Sequence, residues 1–113
     1  MNCIDHQSIH CYYGVKKIDG VNFIKLDKSN RKYSKYAITI QYKNVVKTVH
    51  YGDKRYEQFF DRTPLHCYAG LNHCDSKRRS NYLTRAAKIR NKSGLLCCND
   101  PFSPNRYSII TLW

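Results

Sequence analysis

The stretch from Tyr36 to Tyr51 constrains the fold more than any other. Between Tyr36 and Tyr42 the residues alternate, with Ile38, Ile40 and Tyr42 on one face and Ala37, Thr39 and Gln41 on the other. Val45 to Tyr51 is β-branched enough to pair back through Lys43-Asn44, so the pattern predicts an antiparallel hairpin. One face of such a hairpin needs a covering layer, and the sequence supplies it further on.

The rest of the chain is read around that hairpin. Tyr12 to Leu26 predicts two shorter strands about Asp19-Gly20, a dipeptide suited to the positive φ angles of a tight turn. Asp27 to Lys35 is polar and predicts a loop. Asp53 to Phe60 predicts a short helical turn carrying Tyr56, Phe59 and Phe60 inward. Thr63-Pro64 has the form of an N-cap followed by proline at the first helical position, which predicts a helix over Leu65 to Leu71. The longest helix is expected to start at Asp75 as N-cap, run from Ser76 to about Asn91, and stop near Ser93-Gly94. Pro101 and Pro104 mark a loop, and Tyr107 to Trp113 predicts a final strand paired with the main hairpin. The fold class is therefore α+β: a small antiparallel sheet with one main basic helix packed on it. The expectation is a single domain over residues 1–113, with 1–51 mostly β hairpins and 52–113 a helical segment and final strand.

At 113 residues the chain can bury roughly two thirds of its unfolded surface, enough for one core. Its 20 Lys and Arg against 8 Asp and Glu give a formal charge of +12, which favours acidic proteins or nucleic acid as partners. The cations are scattered among 10 Tyr and 4 Phe rather than gathered in a tail, so an ordered protein is expected. Tyr and Arg suit protein hot spots and also stack on bases and grip phosphates, so composition leaves both partner classes open. No signal-peptide layout and no apolar run near the ~20 residues of a membrane helix are present, so a cytosolic, non-membrane protein is expected.

On a helix, Arg78, Arg85 and Lys92 fall almost in line with Asn81 and Lys88 beside them, while Leu83, Ala86 and Ala87 point away. That stripe is the first candidate binding surface. It suits either a phosphate backbone or a carboxylate-rich neighbour, because guanidinium groups pair with both anions. Arg31, Lys32, Tyr33 and Lys35, with Tyr36 beyond them, form a second basic and aromatic cluster on a predicted loop. Lys54-Arg55-Tyr56 repeats the theme.

Three His-Cys dipeptides, Cys3-x-x-His6 and Cys97-Cys98 offer soft ligands, but no Cys-x-x-Cys knuckle is present. The expectation is no cofactor and reduced thiols, with zinc at Cys3, His6, His10 or Cys11 as the minor alternative. Disulfides stay open, since six cysteines allow 15 pairings. Asp53, Glu57 and Asp61 recur every four residues and on a helix would share a face, the arrangement a metal-dependent nuclease needs. Lys54, Arg55 and Arg62 beside them are ready ion-pair partners, so a non-enzymatic protein is the favoured reading.

Several of these residues also form a longer pattern: Tyr51-Gly52, then Tyr56 with Phe59 and Phe60, then His73-x-Asp75-x-x-Arg78-Arg79-x-x-Tyr82, and finally Ser108 with Leu112-Trp113. Together they cover a little over half the chain and resemble a family of short basic proteins encoded mainly by nucleocytoplasmic large DNA viruses. Where that family places an Arg-His pair after the helix Tyr, this chain reads Thr84-Arg85-Ala86, so no role of that His carries over. The resemblance implies a viral origin and a non-enzymatic virion role, with His73 capping or orienting the helix start. The expected function is that of a minor capsid or cement component binding acidic viral proteins such as capsid subunits. The alternative is a sequence-nonspecific DNA-binding protein for genome condensation or packaging. The virion is the expected location, after synthesis in the host cytoplasm.

Overall fold

The computed structural model describes residues 14–113. Strands β1 (Asn22–Lys28), β2 (Ser34–Tyr42) and β3 (Val45–Asp53) form an antiparallel sheet in the order β1-β2-β3. Helices α1 (Ser76–Ala86) and α2 (Pro104–Leu112) follow, with 3-10 turns at Ala69–Leu71 and Cys97–Asn99. The α+β class is as the sequence indicates. Among the described residues, no helix is long and apolar enough to cross a membrane.

The β2–β3 hairpin matches its sequence pattern. Tyr36 lies opposite Tyr51 and Ile38 opposite Val49, and all four side chains are buried in one cluster. Lys43 and Asn44 both have positive φ, as a type I′ turn requires to match the twist of its strands. On the other face Thr39 meets Thr48, hydroxyl to hydroxyl, at 2.8 Å. The earlier strands differ from expectation. Asp19-Gly20 does form a turn, but residues 15–18 before it form no strand, and Tyr12 lies outside the described residues. β1 instead pairs with β2 as far as Lys28↔Tyr36, so the predicted loop over 27–35 shrinks to residues 29–33.

The final strand is not a strand. Residues 104–112 are helical, with Pro104 in the first turn, where its missing N–H costs nothing. The Ser-Ile-Ile-Thr run reads as β because α2 lies between two layers and lacks a single apolar stripe. Tyr107 and Leu112 join the sheet-side cluster, whereas Ile109 joins Leu83, Ala86 and Cys98 on the α1 side. Ile110 and Trp113 pack against both clusters, so the core is continuous from sheet to α1.

α1 starts where predicted, with the Asp75 carboxylate accepting from the backbone N–H groups of Lys77 and Arg78. His73 Nδ1 accepts from Asp75 N at 2.9 Å and so fixes the capping residue. The helix ends at Ala86 rather than near Asn91. Lys88 N and Ile89 N reach back only three residues, to Arg85 and Ala86, which tightens the last turn. Asn91 then folds the chain back on itself, its side-chain oxygen accepting from Ser93 N and Leu95 N. Ser93-Gly94 is thus a turn, not a helix stop.

Two further predicted helices are absent. Residues 54–60 form a turn and an irregular run in which Phe59 is buried but Tyr56 is 64% exposed. After Thr63-Pro64 only a turn and the Ala69–Leu71 3-10 segment form. The Thr63 hydroxyl accepts from His66 N at 3.3 Å, as a cap would, while donating to Asp61 at 2.6 Å, but His66 takes a left-handed φ of 51° and ends the turn before a helix can form.

Candidate functional site

Between β3 and α1, residues 54–75 cross the end of α2 and are held there by buried polar groups. Phe60 N and Arg62 N donate to Leu112 and Thr111 main-chain oxygens, which a helix end leaves without partners of its own. The Asp61 carboxylate, 0% exposed, accepts from the Tyr36 hydroxyl, the Thr63 hydroxyl and amide, and Tyr68 N. Gln58 accepts from Lys35 Nζ and donates to Tyr68 O and Asn72 Oδ1. Arg62 and Arg79 both donate to the main-chain oxygen of Trp113. That grip sets the indole against Tyr82, with ring centroids 3.9 Å apart and planes 10° from parallel.

These constraints leave a cleft of about 740 Å³ between the 53–57 turn and α1, floored by Lys35, Gly52 and Leu112. Arg55, Tyr56 and Glu57 line one wall, while Arg78, Asn81, Tyr82 and Arg85, spaced i, i+3, i+4 and i+7 on one helix face, line the other with Trp113. Each wall carries an arginine against a tyrosine: Arg55 lies 4.0 Å from the Tyr33 ring centroid and Arg85 5.8 Å from that of Tyr82.

The charges are partly matched within the cleft. Arg55 grips Asp53 with two hydrogen bonds, at 2.7 and 3.0 Å, and holds its carboxyl down to about 2. Arg78 meets Glu57 at 2.9 Å and lowers that carboxyl also. Lys35 is 2% exposed, and burial pushes its ammonium down to about 8 against the opposing pull of Asp61 and Asp53. Arg85 has no carboxylate within ion-pair distance among the described residues.

The sequence-predicted residues therefore divide. Arg78, Asn81 and Arg85 face the cleft together. Lys88 and Lys92 are exposed beyond the end of α1, off the helical stripe that would have aligned them. Arg31, Lys32 and Tyr33 are exposed in the 29–33 turn, and Tyr33 O accepts from Lys54 N, which joins the two basic-aromatic clusters at one rim. Lys35 and Tyr36 belong to β2 and are buried, so Lys35 is part of the floor rather than a loop contact. Arg79, carried only as part of the resemblance, is 3% exposed and acts as a clamp. Neither its burial nor the side of the cleft taken by Glu57 has a local sequence signal.

The three spaced carboxylates do not converge. Asp53 and Glu57 are taken by Arg55 and Arg78, and Asp61 is enclosed by donors. Among the described residues no three His, Cys, Asp or Glu side chains gather as a metal site, and Cys3, His6, His10 and Cys11 lie outside them. Cys67, Cys97 and Cys98 are free thiols, whereas Cys74 is disulfide-bonded, a departure from the all-thiol expectation. Comparison with family models, characterised proteins and solved structures finds no match, so any functional reading rests on the cleft itself.

Proposed function

We propose that this chain is a non-enzymatic virion protein, a minor capsid or cement component, that seats an acidic face of a neighbouring viral protein in the cleft. One observation carries this reading: the lining mixes charge. Lys35, Arg55, Arg78 and Arg85 stand among Asp53 and Glu57, with Tyr56, Tyr82, Leu112 and Trp113 between them. A nucleic-acid strand presents a phosphate at every step and would meet those two carboxylates, whereas a protein segment offers apolar and acidic groups in turn. Arg, Tyr and Trp are also the side chains that dominate protein–protein contact energies.

A second reading, nonspecific DNA binding, is favoured by the exposed cations outside the cleft, Arg31, Lys32, Lys88 and Lys92. Its mark is a log-log salt slope equivalent to several phosphates, indifferent to sequence. The experiment that separates the two is stepwise disassembly of purified particles, following this protein by mass spectrometry beside the major capsid protein and the genome. Retention with the shell after DNA release supports the proposal; partition with DNA supports packaging; absence from the particle overturns both. Reversing Arg78 and Arg85 to Glu is expected to abolish shell association while leaving the thermal midpoint nearly unchanged, because both side chains are exposed.

A further inference from the structure

Glu57 and Arg78 belong to opposite walls of the cleft, 21 residues apart in sequence, and their ion pair at 2.9 Å links the two lips. Both side chains are about half exposed, 51% and 49%, so the pair is open to exchange with solutes. Further along the same helix face, Arg85 stacks on Tyr82 and pairs with no described carboxylate. Among the described residues, a carboxylate thus meets Arg78 and none meets Arg85.

Resting on the docking role proposed above, we infer that Glu57 holds the place of a partner's carboxylate, and that the cleft selects acidic peptide segments carrying two carboxylates that reach Arg78 and Arg85 together. Exchanging Glu57 for one partner carboxylate replaces like with like and is close to neutral. Net attraction then comes from the second carboxylate at Arg85 and from an apolar side chain against Tyr82, Leu112 and Trp113. Arg78 and Arg85 are two turns apart, roughly 10 Å along the axis. Two glutamates three residues apart in a polyproline II segment share one face, because that conformation repeats every three residues, and span about the same distance, roughly 9 Å. A ligand with a single carboxylate must choose between displacing Glu57 and meeting Arg85, and so binds more weakly.

Fluorescence anisotropy with the full chain tests this, using a labelled peptide with two glutamates three residues apart around Leu and Phe, its one-glutamate counterpart, and a single-stranded DNA oligonucleotide. Glu57→Gln is expected to tighten the two-glutamate peptide about three-fold, the scale of an exposed ion pair. Asp27→Asn removes the same charge from a similarly exposed pair with Lys25, away from the cleft, and is expected to change nothing. With Arg78→Ala already present, Glu57→Gln is expected to have no effect. A gain that survives Arg78→Ala, or that Asp27→Asn reproduces, reduces Glu57 to a distant charge and overturns the inference while leaving the docking site intact. Failure of the two-glutamate peptide to bind the wild type sinks both, and tightening seen with DNA alone overturns the choice of partner.

Discussion

The β2–β3 hairpin and the 54–75 segment are both anchored in the interior, by opposite means. The hairpin buries Tyr36, Ile38, Ile40, Val49 and Tyr51 under α2 by alternation of apolar side chains. The segment buries Asp61, Gln58 and Thr63 and holds its path by hydrogen bonds that end on those groups. Apolar contacts adjust to small losses, whereas a buried acceptor with several donors fails as a unit. One half of the molecule should therefore tolerate trimming and the other should not.

The largest expected effect follows from that contrast. Asp61→Ala strands the hydroxyls of Tyr36 and Thr63 and the amides of Thr63 and Tyr68 without their acceptor. A loss of about 4 kcal/mol in urea unfolding is expected. Ile40→Val, in the hairpin core, should cost about 1 kcal/mol. Equal losses would mean that the segment merely lies over the core.

Gly52 is at the seam of the two regions. Its φ is +76°, and an added Cβ would stand 3.0 Å from both Lys35 Cβ and Leu112 Cδ1. Gly20 has a similar φ of +83° with nothing within 4 Å. Gly52→Ala should cost about 3 kcal/mol, through backbone strain plus crowding, and Gly20→Ala about 1 kcal/mol through strain alone. Similar values would show that the close approach beneath the cleft is soft.

The smallest effect is on pH dependence. The folded-state pKa of Lys35, about 8, lies below its ordinary 10.5, so the folded protein binds fewer protons than the unfolded chain between those values. Stability therefore rises with pH across that window. Tyr51, pushed up to about 12 by burial, and Tyr36, raised by burial and by its bond to Asp61, reverse the trend above pH 10, where unfolded tyrosines ionise first. The thermal midpoint should climb towards pH 10 and then fall, and Lys35→Met should remove the climb while keeping the fall.

The same contrast decides what could be read in the sequence. The hairpin was legible because alternation is a local signal, as was the Asp75 cap with Leu83, Ala86 and Ala87 on the inner face of α1. α2 was not, because a helix covered on two sides loses its period, and Ser108 to Thr111 satisfies a strand pattern equally well. Thr63-Pro64 resembles a helix start, and the Thr63 hydroxyl does accept from His66 N, yet the left-handed φ of His66 ends the helix after one turn, a conformation that no local pattern signals. At the cleft, Arg78, Asn81 and Arg85 followed from helical spacing. Lys88 and Lys92 failed with the helix end, and the meeting of Tyr33 with Arg55 depends on the sheet register that joins Tyr33 to Lys54.

The clamp on Trp113 has an optical consequence. The chain has one tryptophan, and its indole is stacked on Tyr82 in the wall of the cleft, 5.2 Å from the His73 ring. Its emission therefore comes from the one place where a partner is proposed to sit. With Tyr107 and Tyr51 in the adjoining core, energy absorbed by tyrosines can also pass to it. The protein carries its own spectroscopic reporter, and occupancy of the cleft can be followed as a shift in colour without attaching a label.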